Sequence, residues 1–222
     1  QEGELLGLLT VYADDHDVEV AILVAPDYRR KGIARSLFDK FQKETGPYPI
    51  RSVTFQTERV FLDRHPDLAS HWGVVEDEET ETWLGRDKTP YALDSRSDVK
   101  VLLADPAYVE EIAQLHHQAF SDPEETLDVS RRYITEALKD SDGLLYILLK
   151  EAQVIGVCTV DLSGNNNYLY GLAVAEAYRG QGYGSYLAKS VVNQLIVQND
   201  KSFQIAVEDS NVGAKRLYEK IG

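Results

Sequence analysis

Apolar and polar positions alternate in two periods along this chain. Leu5 to Tyr12 (LLGLLTVY) is almost continuously apolar and predicts a buried strand, with Asp17 to Val24 (DVEVAILV) as its partner and Ala13-Asp14-Asp15-His16 as the hairpin turn. A helical period follows. Ile33, Leu37, Phe38 and Phe41 share one face between Gly32 and Glu44, and Gly46-Pro47-Tyr48-Pro49 stops the helix. Ser52 to Thr57 returns as a strand, and Phe61 to Ala69 reads as a short helix broken near Pro66. Trp72 to Val75 and Glu81 to Leu84 read as a hairpin around Glu76-Asp77-Glu78-Glu79, a solvated acidic turn. The polar stretch Asp87 to Asp98, which contains Pro90, reads as a connection. It sets a first unit at residues 1–90, a linker at 91–97 and a second unit at 98–222.

The second unit opens with a strand at Val99 to Ala104. Asp105 at an N-cap and Pro106 at the first helical position start a helix to about Phe120, and Ser121-Asp122-Pro123-Glu124 opens another to about Lys139. Leu144 to Glu151 and Val154 to Leu162 predict an antiparallel pair, and Ser163-Gly164-Asn165-Asn166 the next turn. Tyr168 to Val174 is strand-like. Gly182 to Gln198 places Tyr183, Tyr186, Leu187, Val191, Leu195 and Ile196 on one helical face. A strand at Ser202 to Val207 and a helix at Asn211 to Ile221 complete the order β-α-α-β-β-β-α-β-α. That order implies an α/β protein with a mixed, mostly antiparallel sheet flanked by helices, not a doubly wound parallel sheet.

The 222 residues and the repeated pattern favour two domains, each able to bury a core. A net charge of -14, spread over both halves, argues against a nucleic-acid partner and weakly favours a cationic substrate. The single cysteine, Cys158, lies in an apolar strand and excludes an intramolecular disulfide framework, which points to a cytoplasmic home. No apolar run approaches membrane-span length, so no membrane partner is expected. Methionine is absent even from position 1, which suggests a fragment of a longer chain. His16, His65 and His71 have no zinc-site spacing, so no metal is expected.

The chemistry gathers at Arg179-Gly180-Gln181-Gly182-Tyr183-Gly184-Ser185, a glycine turn from strand into helix. Such a turn leaves amide N–H groups without intrahelical partners at the positive end of the helix dipole, which suits a phosphate or pyrophosphate. The design occurs twice. Tyr28, Arg29, Gly32 and Ala34 match Tyr178, Arg179, Gly182 and Gly184, with Arg30 and Lys31 between. A glycine-capped helix start with no ligand is the plain alternative for each copy. The dinucleotide fingerprint G-x-G-x-x-G does not fit, because Gly180, Gly182 and Gly184 are spaced G-x-G-x-G behind antiparallel strands.

These residues resemble the GNAT superfamily of acyl-CoA-dependent N-acetyltransferases. The turn is similar to the family's CoA-pyrophosphate loop, R/Q-x-x-G-x-G/A. Asn211, Ala214, Leu217, Tyr218, Glu219, Lys220 and Gly222 resemble its late helix, N-x-x-A-x-x-L-Y-E-K-x-G. The resemblance spans Asp98 to Gly222, short of the family's last two strands. The first unit resembles the same fold from its third strand onward, with Glu58 to Leu62 where the Asn…Tyr helix would stand, and so looks degenerate. A tandem GNAT protein is implied.

The resemblance implies acetyl-CoA as co-substrate and direct transfer of the acetyl group to a primary amine of a small molecule or peptide. Amides of Gly180 to Ser185 would hold the pyrophosphate, with Arg179 helping through loop structure or charge. A backbone N–H on the strand Leu172 to Val174 would polarise the thioester carbonyl, Ala173 and Val174 would line the pantetheine arm, Asn211 would hold the sulfur end, and Tyr218 would be the general acid. Arg29, Arg30, Lys31, Gly32 and Ala34 would form a second CoA loop. Plain readings stand beside these: Tyr218 as a packed aromatic, Asn211 as only an N-cap. Glu208 and Asp209, at the end of the last strand, are base candidates or ordinary loop carboxylates. Tyr168 and Tyr170 share a strand face and read as packing, with the acceptor pocket as the alternative. Cys158 reads as buried. His116 and His117 read as surface or core histidines in a region that shapes the family's acceptor site. Alternatives for the whole chain are a non-catalytic acyl-CoA-binding or scaffolding protein, and a transferase of a bulkier acyl or aminoacyl group. A homodimer is left open.

Overall fold

A computed structural model of the chain describes residues 3–14, 16–77, 79–121 and 125–222. The turn residue Asp15, Glu78 of the acidic run, and Asp122-Pro123-Glu124 at the expected helix start lie outside the described residues. The chain divides into two compact units, Gln1–Glu76 and Asp77–Gly222.

In the first unit β1 (Gly7–Asp14) and β2 (Asp17–Val24) form the expected antiparallel hairpin, with Asp14 opposite Asp17. A crossover through α1 (Ile33–Thr45) brings β3 (Ser52–Phe55) parallel to β2, giving the order β1-β2-β3. Alternation along β2 buries Val18 and Val20 against Phe41 of α1, with Phe38, Ile50 and Phe55 packed around them. Each such fully buried apolar side chain contributes about 1.5–3 kcal/mol. The expected broken helix is two helices, α2 (Arg59–Arg64) and α3 (Leu68–Trp72), with Pro66 in the gap. Trp72 meets Phe38 edge-on at 5.6 Å.

The second unit contains β4 (Glu81–Arg86), β5 (Val99–Leu103), α4 (Val109–Phe120), α5 (Leu127–Ala137), β6 (Gly143–Lys150), β7 (Gln153–Asp161), β8 (Asn167–Val174), α6 (Tyr183–Gln198), β9 (Phe203–Glu208) and α7 (Val212–Ile221). Its sheet runs β4-β9-β8-β7-β6-β5, antiparallel throughout except for the β8–β9 pair. Both faces are covered, which is why β6 reads as an unbroken apolar run. Tyr146 and Leu148 join Leu187, Val191 and Leu195 of α6 on one face. Leu145, Ile147 and Leu149 join Ile112 and Leu115 of α4 and Ile134 of α5 on the other. The mixed, mostly antiparallel architecture is therefore the one anticipated.

The hairpin expected between Trp72–Val75 and Glu81–Leu84 does not form. Leu68–Trp72 is helical and ends where the Gly73 N–H bonds the Ser70 carbonyl at 3.2 Å. β4 instead pairs with β9, Glu81 opposite Glu208 and Arg86 opposite Phe203. It therefore belongs to the second unit, and the boundary falls before Asp77 rather than near residue 90. The strand pattern was legible; its partner, more than a hundred residues downstream, was not.

Two features of β8 position the site. Its parallel pairing with β9 stops at Leu169 opposite Ile205, while β9 continues to Glu208 against β4. Just beyond that point Gly171 and Leu172 together oppose Cys158, between the Thr159–Tyr170 and Val157–Ala173 pairs. This is a β-bulge, which bends a strand and increases its twist. Gly171 makes it with φ +57°, a region costly for other residues. β8 and β9 thus splay apart toward Val174.

The β6–β7 turn places two side-chain-bearing residues, Glu151 and Ala152, at φ 49° and 68°. Asn-Gly suits such a two-residue turn. The double substitution Glu151→Asn, Ala152→Gly should raise the unfolding free energy by about 1 kcal/mol, read by urea denaturation.

Candidate active site

The glycine turn is built identically in both units, residue for residue. Ala25 and Ala175 have φ, ψ of -53°, 136° and -53°, 138°. Arg29 and Arg179 have -66°, 157° and -67°, 157°. Gly32 and Gly182 have 83°, -2° and 82°, 2°. The position between is Gly180 at φ 73° in the second unit and Arg30 at φ 61° in the first. Each arginine turns back on its own strand: Arg179 Nε donates to the Val174 carbonyl at 2.9 Å and Arg29 Nε to Val24 at 3.1 Å. Each arginine thus ties the turn to the end of the preceding strand.

At the start of α6 the first intrahelical bond is Tyr186 N–H to the Gly182 carbonyl, 3.0 Å. The N–H groups of Tyr183, Gly184 and Ser185 have no intrahelical acceptor, and no side chain caps them. Gly180, Gln181 and Gly182 are exposed beside them. These donors and the helix dipole can hold a pyrophosphate. Gly184 also permits a close helix approach, because a Cβ there would lie 3.0 Å from Leu217 Cδ1 of α7.

The Tyr183 side chain has a different task. It is buried, and its hydroxyl donates to Asp98 Oδ2 at 2.9 Å. Lys150 Nζ reaches the same oxygen at 2.8 Å, and the Arg96 guanidinium covers the Tyr183 ring at 4.2 Å. Lys150, and then Tyr183, hold the Asp98 carboxyl below the usual carboxylate range. Only the Tyr183 backbone can face a cofactor. Sequence reasoning missed Arg96, Asp98 and Lys150, and no local signal marks them.

Ala173 is buried toward α4 and α5, while Leu172 and Val174 pack on the α6 side of β8. Across the α6 face, Tyr218 is half-buried and lines a cavity of about 50 Å³ with Leu169, Ile205, Ala188 and Val192. Burial pushes its hydroxyl well above the usual tyrosine range, and Cys158 and Tyr168 add to this. Cys158 is fully buried, its thiol pushed up to about 12 by desolvation. Asn211 is the N-cap of α7, with Oδ1 accepting the Ala214 N–H at 3.1 Å. Glu208 is exposed and accepts from Ser210 Oγ at 3.3 Å. Asp209, the other base candidate, accepts from Thr80 Oγ1 at 2.5 Å, Thr82 Oγ1 at 2.6 Å and Lys215. Lys215, then the two threonines, keep it strongly acidic. It is a clamp between β4 and α7, not a base.

Tyr168 stacks on Tyr170 at 5.7 Å and on Trp83 of β4 at 5.3 Å. His116 lies against Tyr133 at 4.7 Å and Phe120 at 5.0 Å. Trp83 and Tyr133 were not singled out in the sequence, because their neighbours come from other elements.

A mixed sheet splayed beside an uncapped, glycine-led helix leaves backbone donors that suit a phosphate-bearing ligand. The chain belongs to the acetyltransferase (GNAT) family, whose model matches residues 1–45 and 109–222. It is similar to a mycothiol acetyltransferase of Clavibacter sepedonicus, 25% identical over 99% of this chain and 73% of that protein. It is also similar to the [ribosomal protein bS18]-alanine N-acetyltransferase of Haemophilus influenzae, 31% identical over 38% of this chain and 60% of that protein. In fold it matches a tandem GNAT protein from the clavulanic acid biosynthesis pathway, TM-score 0.72 and 15% identity, over 98% of this chain and 75% of that one. A GCN5-related N-acetyltransferase from Sphaerobacter thermophilus gives TM-score 0.72 and 16% identity, over 97% and 72% of the two chains.

The turn geometry makes two opposite expectations. Gly182→Ala, at φ +82°, should lower the unfolding free energy by about 1–2 kcal/mol. Arg30→Gly, at φ 61°, should raise it by up to about 1 kcal/mol. Urea denaturation of the full chain measures both.

Proposed function

We propose that this chain transfers an acetyl group from acetyl-CoA directly to a primary amine, in the cytoplasm, with the second unit as the catalytic one. One observation carries this reading: the free amides that open α6 and the splay between β8 and β9 meet at the same end of β8. Acetyl-CoA would supply the acetyl group as an activated thioester. The amides of Gly180 to Ser185 hold the pyrophosphate, and Arg179 fixes the turn that presents them. Backbone N–H groups along Leu172, Ala173 and Val174 receive the thioester arm. One such donor, aimed at a developing oxyanion, is worth roughly 2.7–4 kcal/mol. Asn211 braces the start of α7 near the sulfur end. Tyr218 holds the proton that the leaving thiolate takes. Glu208 relieves the ammonium of its proton, directly or through water. The acid and base are thus split by environment, a half-buried phenol and an exposed carboxylate.

The first unit supports a lesser role. Its turn repeats the backbone geometry, and Arg30, Lys31, Gly32 and Ala34 surround it, so it can hold CoA. However, Lys31 rests over Tyr28 at 4.8 Å and the β1–β2 ladder runs without a bulge. It also offers no tyrosine in the place of Tyr218. We assign it binding without turnover. The relatives include a mycothiol acetyltransferase and a [ribosomal protein bS18]-alanine N-acetyltransferase, which supports an acceptor of either kind.

Calorimetry should detect CoA binding to the full chain, and thiol release from acetyl-CoA should depend on added amine. Tyr218→Phe should lower kcat by about a hundredfold or more while leaving CoA affinity unchanged. Because the Tyr218 pKa is raised above its ordinary 10.0, the phenol keeps its proton through neutral pH. Its loss can depress the rate only above that value, and that descending limb should vanish in the phenylalanine variant. No heat with CoA, or equal rates for the two proteins, would overturn the assignment.

A further inference from the structure

The aromatic side chains on the α4/α5 face of the sheet form one arc across four elements. β4, β9 and β8 are in register so that Leu84, Ile205 and Leu169 point to the α6 face. Trp83, Tyr168 and Tyr170 therefore point to the opposite face. Trp83 stacks on Tyr168 and Tyr168 on Tyr170. Tyr170 is hydrogen-bonded to Tyr133 of α5, and Tyr133 lies against His116 of α4. The arc is open to solvent: Trp83 is 58% exposed and Tyr133 41%. Its middle, Tyr170, stands where β8 leaves β9, beside the backbone of Leu172 and Ala173.

Several carboxylates act on the arc. Burial, and after it Glu81 and Asp161, raise the Tyr168 hydroxyl; burial and Tyr133, and after them Asp161 and Asp140, raise that of Tyr170; Glu125 acts on His116 against its burial. Glu208 lies directly opposite Glu81 on the same face. Like charges placed so are unfavourable by themselves and favourable to a cation between them. Among the described residues, the buried Nδ1 of His116 has no hydrogen-bond partner. Burial lowers its pKa, which keeps the ring neutral near pH 7.

We infer that this arc is the acceptor subsite, and that it takes a primary ammonium carried on a flat apolar body. The inference rests on the acetyl-transfer reading and names its acceptor class. The aromatic faces hold the body by stacking and attract the ammonium by their quadrupoles. The carboxylates add to that attraction and select against anions. The amine so held lies at the mouth of the splay, where the thioester arm would end. A polyamine or a free amino sugar would leave the ring faces unused.

The test is calorimetry on the full chain saturated with CoA, using three probes: 2-phenylethylammonium, the neutral 2-phenylethanol, and ethylammonium. The charged aromatic probe should bind at least about tenfold tighter than either of the others. Trp83→Ala, an exposed position, should weaken it by about fivefold or more without changing CoA affinity. Three affinities within about threefold, or a Trp83→Ala protein that binds like the parent, would overturn the inference. Thiol release separates the two readings. If other amines release thiol while 2-phenylethylammonium is not bound, acetyl transfer stands and the aromatic subsite falls. If the probe binds as expected and no amine releases thiol, the arc stands as a site for an aromatic ammonium, and its acceptor role falls with the transfer reading.

Discussion

β8 is hydrogen-bonded on both sides as far as Leu169 and on one side after it. Everything at the site depends on that half-paired stretch. A strand in the middle of a six-stranded sheet would ordinarily bury all its backbone groups in ladders, because leaving them unpaired is costly. Here the bulge at Gly171 and Leu172 rotates the strand away before β9 ends. Beyond Leu169 the groups on the β9 side of β8 have no ladder partner, on the stretch that runs on to the first turn of α6. The sheet achieves this at the cost of one left-handed glycine.

The turn that follows is a rigid object rather than a flexible loop. An arginine bonded to the last strand carbonyl, a left-handed residue, and a left-handed glycine N-cap recur in both units, and the dihedrals of the arginine and the glycine agree within a few degrees. Two different sequences reach one conformation because the local bonds leave little else. The surroundings differ, however. In the second unit the turn borders a bulged strand, a close α6–α7 contact and a buried tyrosine hydroxyl. In the first unit the same turn follows a regular hairpin.

Two polar clusters tie distant segments to the site. Asp98, Lys150 and Tyr183 join the segment before β5, the end of β6 and the start of α6. Asp209, Thr80, Thr82 and Lys215 join β4 to the end of β9 and to α7. Each removes a carboxylate from any part in proton transfer, by holding it ionised among donors. Glu208, one residue from Asp209, points to the other face and is exposed, accepting from Ser210 Oγ. Neighbours in sequence receive opposite tasks because alternation along a strand sends them to opposite sides.

The sequence by itself determined the element order of the second unit, the hairpin and helix of the first, and the duplicated turn. These follow from short-range rules: hydrophobic period, caps and glycine positions. It also marked Gly182, Asn211 and Tyr218 through spacing along one helix start and one helix. It did not decide that β4 pairs with β9, that Asp209 is a clamp, or that Trp83, Tyr168, Tyr170, Tyr133 and His116 form one arc. Those depend on which strands are neighbours and in what register. Register is set by how the two cores fill, a long-range balance that no local stretch of residues encodes.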